Sequence, residues 1–441
     1  MTSRSTAFLS SRSPTTLLLI LAISSRLIHL TILHILSRFL PLFDTSPLLL
    51  SGDDVPSPLL RWDAIHFASI ASKGYEYEQQ LAFQPGWMGV MRLAGEGVRW
   101  IKAYIRAGEG GVGVVRVEDV LIGGTVISNM AFVGATLVLY KLTAHLYTPT
   151  FAFLASLLYL IPPTPIPSVP YTEPIYALFA FTGFYLLVVK KQYISASLFL
   201  AGGTSVRATG VINALGLIWY SLFGDGGFMA AGELTAWDSL KRFTIGNVRS
   251  YVPTIIVIAP FMTFQWYADR SFCTNSARLA GQWRPWCDVK PPISYAFVQK
   301  EYWNIGLFNY WTLSQMPNIL LASPVLLVSI YGTLNYLRKR VSSGRHTNPS
   351  HPALEGLYIC HLVTTCLLLF SSHTQIALRV CLGDPVVWWN VVSLAFDWDK
   401  SPDGKQMGRR GMTKVGKWWV GWCLVWGAVS MVLWVGHYPP A

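Results

Sequence analysis

The sequence is poor in charge. Only 13% of its 441 residues are Asp, Glu, Lys or Arg, about half of the roughly 25% found in ordinary soluble domains. It has no CxxC pair and no Cys/His cluster at zinc spacing. Its six cysteines, Cys273, Cys287, Cys360, Cys366, Cys381 and Cys423, are scattered, which excludes zinc ribbons and thioredoxin-like redox motifs. The one Asn-x-Ser triplet has proline in the middle, at Pro349, so it accepts no glycan. Gly108-Glu109-Gly110-Gly111 lacks the GK[ST] ending of a nucleotide phosphate loop. No internal repeat is visible, which argues against an inverted-repeat transporter. No basic patch is interleaved with stacking aromatics on a soluble stretch. The net charge of +12 therefore points to basic loops on one side of a membrane, not to nucleic acid.

What is present is apolar sequence. Hydrophobic residues make up 52% of the chain. Runs of span length or near it occur at Leu17–Leu36, Val120–Leu142, Phe151–Ile161, Ile175–Val189, Tyr193–Val206, Ala208–Phe223, Tyr251–Tyr267, Ile319–Leu337, Leu354–Phe370, Val386–Phe396 and Trp418–Val435. They predict an all-α polytopic membrane protein, one multi-spanning domain over residues 1–441, with about eleven spans. The first run is too long for a removed signal peptide and lacks a small-residue cleavage site. The Lys/Arg-rich loops 190–191, 241–249, 338–345 and 409–417 fall on one side, the cytosol by the positive-inside rule. Loops 39–119, 162–174, 268–316 and 371–385 fall on the other. The prolines from Pro162 to Pro167 mark a turn at the membrane face, and Met91–Ile105 reads as an amphipathic helix.

The chemistry-bearing residues cluster on that second side. Asp63 and His66, three apart, share a helix face. Arg61 and Trp62 precede them, and Gly74 follows where a left-handed C-cap belongs. Such a helix handles a proton and an anion, or is an interfacial helix with a wet polar face. Glu173 opens an apolar run, and Arg207 interrupts a hairpin. His373, Gln375 and Arg379 share a short loop. Charges at a membrane are costly and are usually functional or paired. Arg207 reads as an anion-binding cation or as the partner of Glu173 in a structural ion pair. Cys273 and Cys287 share one loop and are either a disulfide or two free thiols. Asp53-Asp54 reads as a solvated turn, and Asp397-Trp398-Asp399 as a DxD on the wrong side for a metal site.

Taken in order, RWDAIHF, GYEYE, AFQPG, YTEPIYALFAF, VRATG, VQKEYWNIGLFNYW, QMPN and HTQIALR resemble the PIG-V family of GPI mannosyltransferases, from about Trp62 to Trp389. Gln84 departs from the family's usual aromatic and Thr209 from its common Asn. The resemblance implies a GT-C type fold with luminal amphipathic helices in the endoplasmic reticulum membrane. It implies dolichyl phosphate mannose as the lipid-linked donor, a GPI lipid precursor as acceptor, and an α-1,6 linkage made with inversion. No cofactor or nucleotide is implied, and nothing in the residues supports a metal. A small membrane partner subunit is compatible with it. Within that frame Asp63 is the candidate base and His66 its orienting or acceptor-binding neighbour. Arg207 and Arg379 are candidates for the phosphate. Arg61, Trp62, Tyr75, Glu78, Glu173, His373 and Gln375 complete the substrate-binding set, and Trp62, Tyr75, Tyr77 and Trp303 offer rings to sugar or lipid. A transporter or scramblase, and a non-catalytic subunit of a transferase complex, are the competing classes. Transfer that survives loss of Asp63 would favour the subunit.

The one-sided charge pattern fixes an expected topology. A glycosylation sequon engineered near Asp53 is expected to be modified and one near Arg345 to stay bare. The opposite pattern of glycan shifts on a gel would invert the topology and the side of the site with it.

Overall fold

The computed structural model describes residues 13–51, 57–105, 114–223, 248–279, 281, 283–342, 354–400 and 406–438. The Asp53-Asp54 turn, the Gly108–Gly111 patch and Lys241-Arg242 lie outside them. The longer helices are α1 (Pro14–Leu36), α2 (Asp63–Lys73), α3 (Pro85–Ile105), α4 (Val117–Leu146), α5 (Pro149–Tyr159), α6 (Thr172–Val188) and α7 (Tyr193–Val206). They continue as α8 (Asn213–Phe223), α9 (Val248–Phe272), α10 (Ser294–Trp303), α11 (Met316–Ser342), α12 (Leu354–Phe370), α13 (Pro385–Ala395) and α14 (Lys414–Gly436).

Among the described residues four stretches are long and apolar enough to cross a membrane: Pro14–Leu36, Val117–Leu146, Leu313–Lys339 and Lys414–Gly436. Six shorter apolar helices accompany them. An 11-residue helix such as α5 rises only about 16 Å, against a hydrocarbon core of about 30 Å. Apolar runs in the sequence therefore resolve into helices of span length and shorter ones.

The all-α expectation needs one amendment. β1 (Phe396–Lys400) pairs antiparallel with β2 (Gln406–Met412) between α13 and α14. Phe396 and Trp398 alternate there with Asp397 and Asp399, the period of a strand, in a stretch too short to stand out among apolar runs. Trp398 packs on Phe151 of α5, with ring centroids 5.3 Å apart.

The proline-rich turn between α5 and α6, residues 162–170, is buried within the protein. Prolines have no N–H to satisfy, so only carbonyls need partners. Those partners are present: Trp87 Nε1 donates to the Pro170 carbonyl at 3.2 Å and Asn129 Nδ2 to that of Ser168 at 3.3 Å. Arg26 of α1 donates to Leu160 O and Ser168 Oγ, and its guanidinium lies 4.2 Å from the Phe132 ring centre. One buried cation thus pins α1, most of which is not buried in the protein, to α4 and to this turn.

The two large loops meet. Gly74 ends α2 at φ +90, a positive φ as expected but with ψ −170, a region open to glycine and little else. The chain then folds back so that Glu78 reaches the second loop. Its Oε1 accepts from Trp286 Nε1 at 2.6 Å and Arg284 Nε at 2.9 Å, and its Oε2 from Tyr302 Oη at 2.8 Å. Cys273 and Cys287 form a disulfide, Cα atoms 5.6 Å apart, which closes the segment carrying Arg284 and Trp286. Amphipathic α3 begins six residues earlier than its apolar period suggested. It buries Met88 and Met91 and exposes Leu93, Trp100, Ile101 and Tyr104.

Removing the disulfide as Cys273→Ser is expected to lower stability by up to about 3 kcal/mol, the value for a loop of this length. Thermal inactivation of the variant beside the parental chain measures it. Thiol labelling of both cysteines in denatured, unreduced protein would show the bond absent.

Candidate active site

Asp63 is the first residue of α2, where a carboxylate meets the positive end of the helix. Trp62, just before it, has φ +52, a conformation rarely adopted by a bulky residue and usually held by its surroundings. Two contacts hold it here. The Trp62 N–H donates to His437 Nε2 at 3.3 Å. The Asp63 N–H donates to Tyr171 Oη at 3.0 Å, and that hydroxyl donates to Arg61 O at 3.3 Å. The bend is thereby fixed from the start of α6 and from the end of α14.

Glu173 lies in the first turn of α6 with its side chain 1% exposed. Its Oε1 is shared by Arg207 Nη1 at 2.5 Å and Arg379 Nε at 2.9 Å. Its Oε2 accepts from Thr172 Oγ1 at 3.1 Å, which in turn accepts from Arg207 Nη1 at 3.0 Å. Arg379 extends the chain of charges: its Nη2 donates to Asp63 Oδ2 at 2.8 Å, and its guanidinium sits 4.9 Å from the Tyr171 ring centre. Burial alone would lower the Arg379 pKa, but Glu173 and Asp63 outweigh it and raise it. Arg207 is brought up by close packing behind it. A Cβ on Gly86 would lie 2.5 Å from Ser205 Oγ and 2.6 Å from Ser205 O, so only glycine lets the start of α3 reach the end of α7.

These charges line a cavity of about 440 Å³. Of the expected residues, Trp62, Asp63, Arg207, Trp303, His373, Gln375 and Arg379 are in its wall. Phe83, Gln84, Tyr171 and Tyr295 join them, and Tyr77 does not. His373 Nε2 donates to Trp303 O at 2.8 Å and Tyr310 Oη donates to Gln375 Oε1 at 2.8 Å, so the loop before Arg379 is tied to α10. A smaller pocket of about 30 Å³ lies behind, lined by Glu173, Arg207, His361 and Asp384 among others. His361 Nδ1 and Asp384 Oδ2 are 2.6 Å apart, and Asp384 Oδ1 accepts from Val386 N at the start of α13.

The other expected residues are elsewhere. His66 shares a helix with Asp63 but is not in the cavity wall; it stacks on Phe83 at 5.4 Å. Burial lowers its pKa, against a smaller raising effect of Asp63. Arg61 turns inward, donating to the carbonyls of Val435, Ser57 and Leu60, and burial pushes its pKa down to about 10. Tyr75 donates to Phe83 O at 2.7 Å. Glu78 ties the loops together. Glu173 stands behind the wall as the shared counter-ion of Arg207 and Arg379, and Arg207, so paired, still lines the cavity. Spacing on a helix shows which residues share a face, not which face meets a cavity. Tyr171 and the His361–Asp384 pair were missed. Only the Asp-Pro at 384–385, a helix-start signature, marked the second.

A cavity walled by paired charges and aromatic rings inside a multi-pass helical scaffold suits a membrane glycosyltransferase, and that is the class of this chain. A family model described as mannosyltransferase (PIG-V) matches residues 7–441. The chain is 53% identical to a GPI mannosyltransferase 2 of Cryptococcus neoformans over 435 residues, 97% of this chain and 99% of that one. It is 29% identical to the GPI alpha-1,6-mannosyltransferase 2 of Rattus norvegicus over 371 residues, 75% and 72% of the two chains. An oligosaccharyltransferase of Archaeoglobus fulgidus shares 12% identity at a TM-score of 0.44, covering 94% of this chain and 55% of that one, a likeness too slight to define the fold. The chain belongs to the mannosyltransferase (PIG-V) family.

The shared carboxylate predicts a non-additive pair. Arg207→Ala or Arg379→Ala alone leaves Glu173 one cation, so each variant is expected to fold and to lose activity. Together they leave a buried unpaired carboxylate, which costs about 3–5 kcal/mol, so abundance is expected to fall sharply. Quantitative blots of the two single variants and the double test it; equal abundance of all three would refute the shared-counter-ion role.

Proposed function

We propose that the chain transfers a mannosyl group from dolichyl phosphate mannose to the first mannose of a GPI lipid precursor. The linkage is α-1,6, and the site faces the lumen of the endoplasmic reticulum within a GT-C type scaffold of about eleven spans. The observation that carries this reading is the position of Asp63. Its Oδ2 is held by Arg379 at 2.8 Å, its Oδ1 makes no hydrogen bond among the described residues, and it stands in the cavity wall.

The chemistry follows from the linkages. The donor sugar is β-linked and the product α-linked, so one displacement with inversion suffices. Asp63 takes the proton from the acceptor hydroxyl as that oxygen bonds to the anomeric carbon. The bond to phosphate breaks on the opposite face, and phosphate leaves without a strong general acid. Arg207 and Arg379 meet the departing phosphate with the N–H groups that Glu173 and Asp63 do not use; a guanidinium carries five. Glu173 serves indirectly, by keeping both cations in place. His66 acts from behind Phe83 as a packing neighbour of the Asp63 helix.

Asp63→Asn keeps the volume and loses the proton acceptor. Labelled-mannose transfer per mole of folded protein is expected to fall roughly 100-fold to 10,000-fold. Abundance should stay close to parental, because Arg379 retains Glu173. Asp63→Glu is expected to recover little, since about 1 Å of misplacement breaks the attack geometry. Near-parental transfer by Asp63→Asn would leave the cavity wall without a carboxylate base among the described residues and favour a non-catalytic role.

A further inference from the structure

One polar side chain in the cavity wall has no part in the chemistry above. Gln84 is 1% exposed, yet neither its Oε1 nor its Nε2 has a hydrogen-bond partner among the described residues. Most buried polar side-chain atoms are paired, because an unpaired amide in an apolar setting is costly. Methionine or leucine would fill the same place without that cost. The backbone on either side is held firmly. The Phe83 carbonyl accepts from Tyr75 Oη at 2.7 Å, and Gly86 is packed onto Ser205. Trp62 Nε1, in the same wall, is a second buried donor with no partner among the described residues.

We propose that Gln84 reads the sugar in the transfer site, its carboxamide binding two neighbouring hydroxyls of a bound mannose. The proposal rests on the mannosyl-transfer reading. The amide's two faces decide the ligand class. Oε1 accepts only and Nε2 donates only. A phosphate oxygen satisfies Nε2 and leaves Oε1 unpaired, and a cation does the reverse. A vicinal diol satisfies both: one hydroxyl donates to Oε1 and its neighbour accepts from Nε2. The terminal amide torsion is broad and soft, so the group turns toward an arriving sugar without moving its backbone. The Trp62 indole N–H then donates to a further hydroxyl. Arg207 and Arg379 hold charge in this site, whereas Gln84 distinguishes one hydroxyl pattern from another. A site that hydrogen-bonds a hydroxyl rejects the analogue lacking it far more strongly than an apolar pocket does.

Two sugars carry this chemistry, the mannose on the donor lipid and the mannose on the acceptor. The test uses the full chain in microsomes with synthetic dolichyl phosphate mannose and a singly mannosylated GPI lipid, comparing the parental chain with Gln84→Met. kcat/KM is expected to fall roughly 10- to 100-fold, the loss of two hydrogen bonds. The fall should appear against one substrate, and that substrate is the one read. Thermal stability should hold or rise, since an unpaired amide is removed. With single-deoxy versions of that mannose, the difference between the two chains should narrow for the two analogues that each lack one read hydroxyl and stay unchanged for the others.

Unchanged kinetics for both substrates, with normal transfer by the parental chain, would overturn the proposal. So would a fall in stability with kinetics intact, which would mean a fixed water pairs the amide. If Gln84→Met accumulates poorly, Gln84→Leu takes its place, and poor accumulation of both assigns the amide to folding and ends the proposal. A parental chain that transfers no mannose at all would instead be a failure of the transfer reading itself.

Discussion

A buried carboxylate in a largely apolar protein must have a cation, and Glu173 has two. Its side chain is 1% exposed, and leaving such a group unpaired costs several kcal/mol. That cost is converted into geometry. Arg207 follows α7, Arg379 lies on the loop after α12, and Asp63 starts α2. All three meet because one carboxylate oxygen draws in both guanidiniums and one of those guanidiniums reaches Asp63. Buried ion pairs seldom add stability relative to apolar packing, so what the cluster contributes is a defined mutual position for charges from three parts of the chain.

The roof above the cavity uses the same device at a more open place. Glu78 gathers Arg284, Trp286 and Tyr302, and the Cys273–Cys287 bond holds the segment that carries two of them. Phe83 and Gln84 from the first loop and Tyr295 and Trp303 from the second then line the cavity together. The site is thus assembled between two loops far apart in sequence, tied together by Glu78, which itself stays out of the cavity wall. The division is chemical: charged groups with all their oxygens engaged hold the frame, and the partly engaged Asp63, Arg207 and Arg379 face the opening.

Much of this was legible in the residues. The short helix at Asp63 and its end at Gly74 follow from spacing, while the Glu173–Arg207 pairing and the disulfide were each one of two readings the residues left open. The family was legible in the ordered motifs. What stayed hidden was long-range. His66 keeps the right spacing to Asp63 but faces Phe83, because a shared helix face is wide enough to include both a cavity wall and a packing contact. Arg61 and Glu78 carry the charges expected of a site, and both are consumed by backbone carbonyls or by the opposite loop. Half-length helices and a short hairpin were concealed because apolar content alone reports burial, whether in lipid or in protein. His361 and Asp384, in contact at 2.6 Å, come from separate segments that no local pattern joins.

Glu173 also sets an order of events during synthesis. Arg207 follows it closely in the chain, whereas Arg379 comes 206 residues later. At roughly 5–20 residues per second, the stretch from Arg207 to Arg379 takes about 10–35 s to make. Through it the growing chain has one cation for its most buried carboxylate, and the segment up to the end of α7 is electrostatically complete without the rest. The second guanidinium arrives into a pairing already made, and only then is Asp63 tethered. A chain that stops before Arg379 therefore holds one partner for Glu173 but lacks the cation that tethers Asp63. In this protein, the pairing of Glu173 and the tethering of Asp63 wait on stretches of chain made at different times.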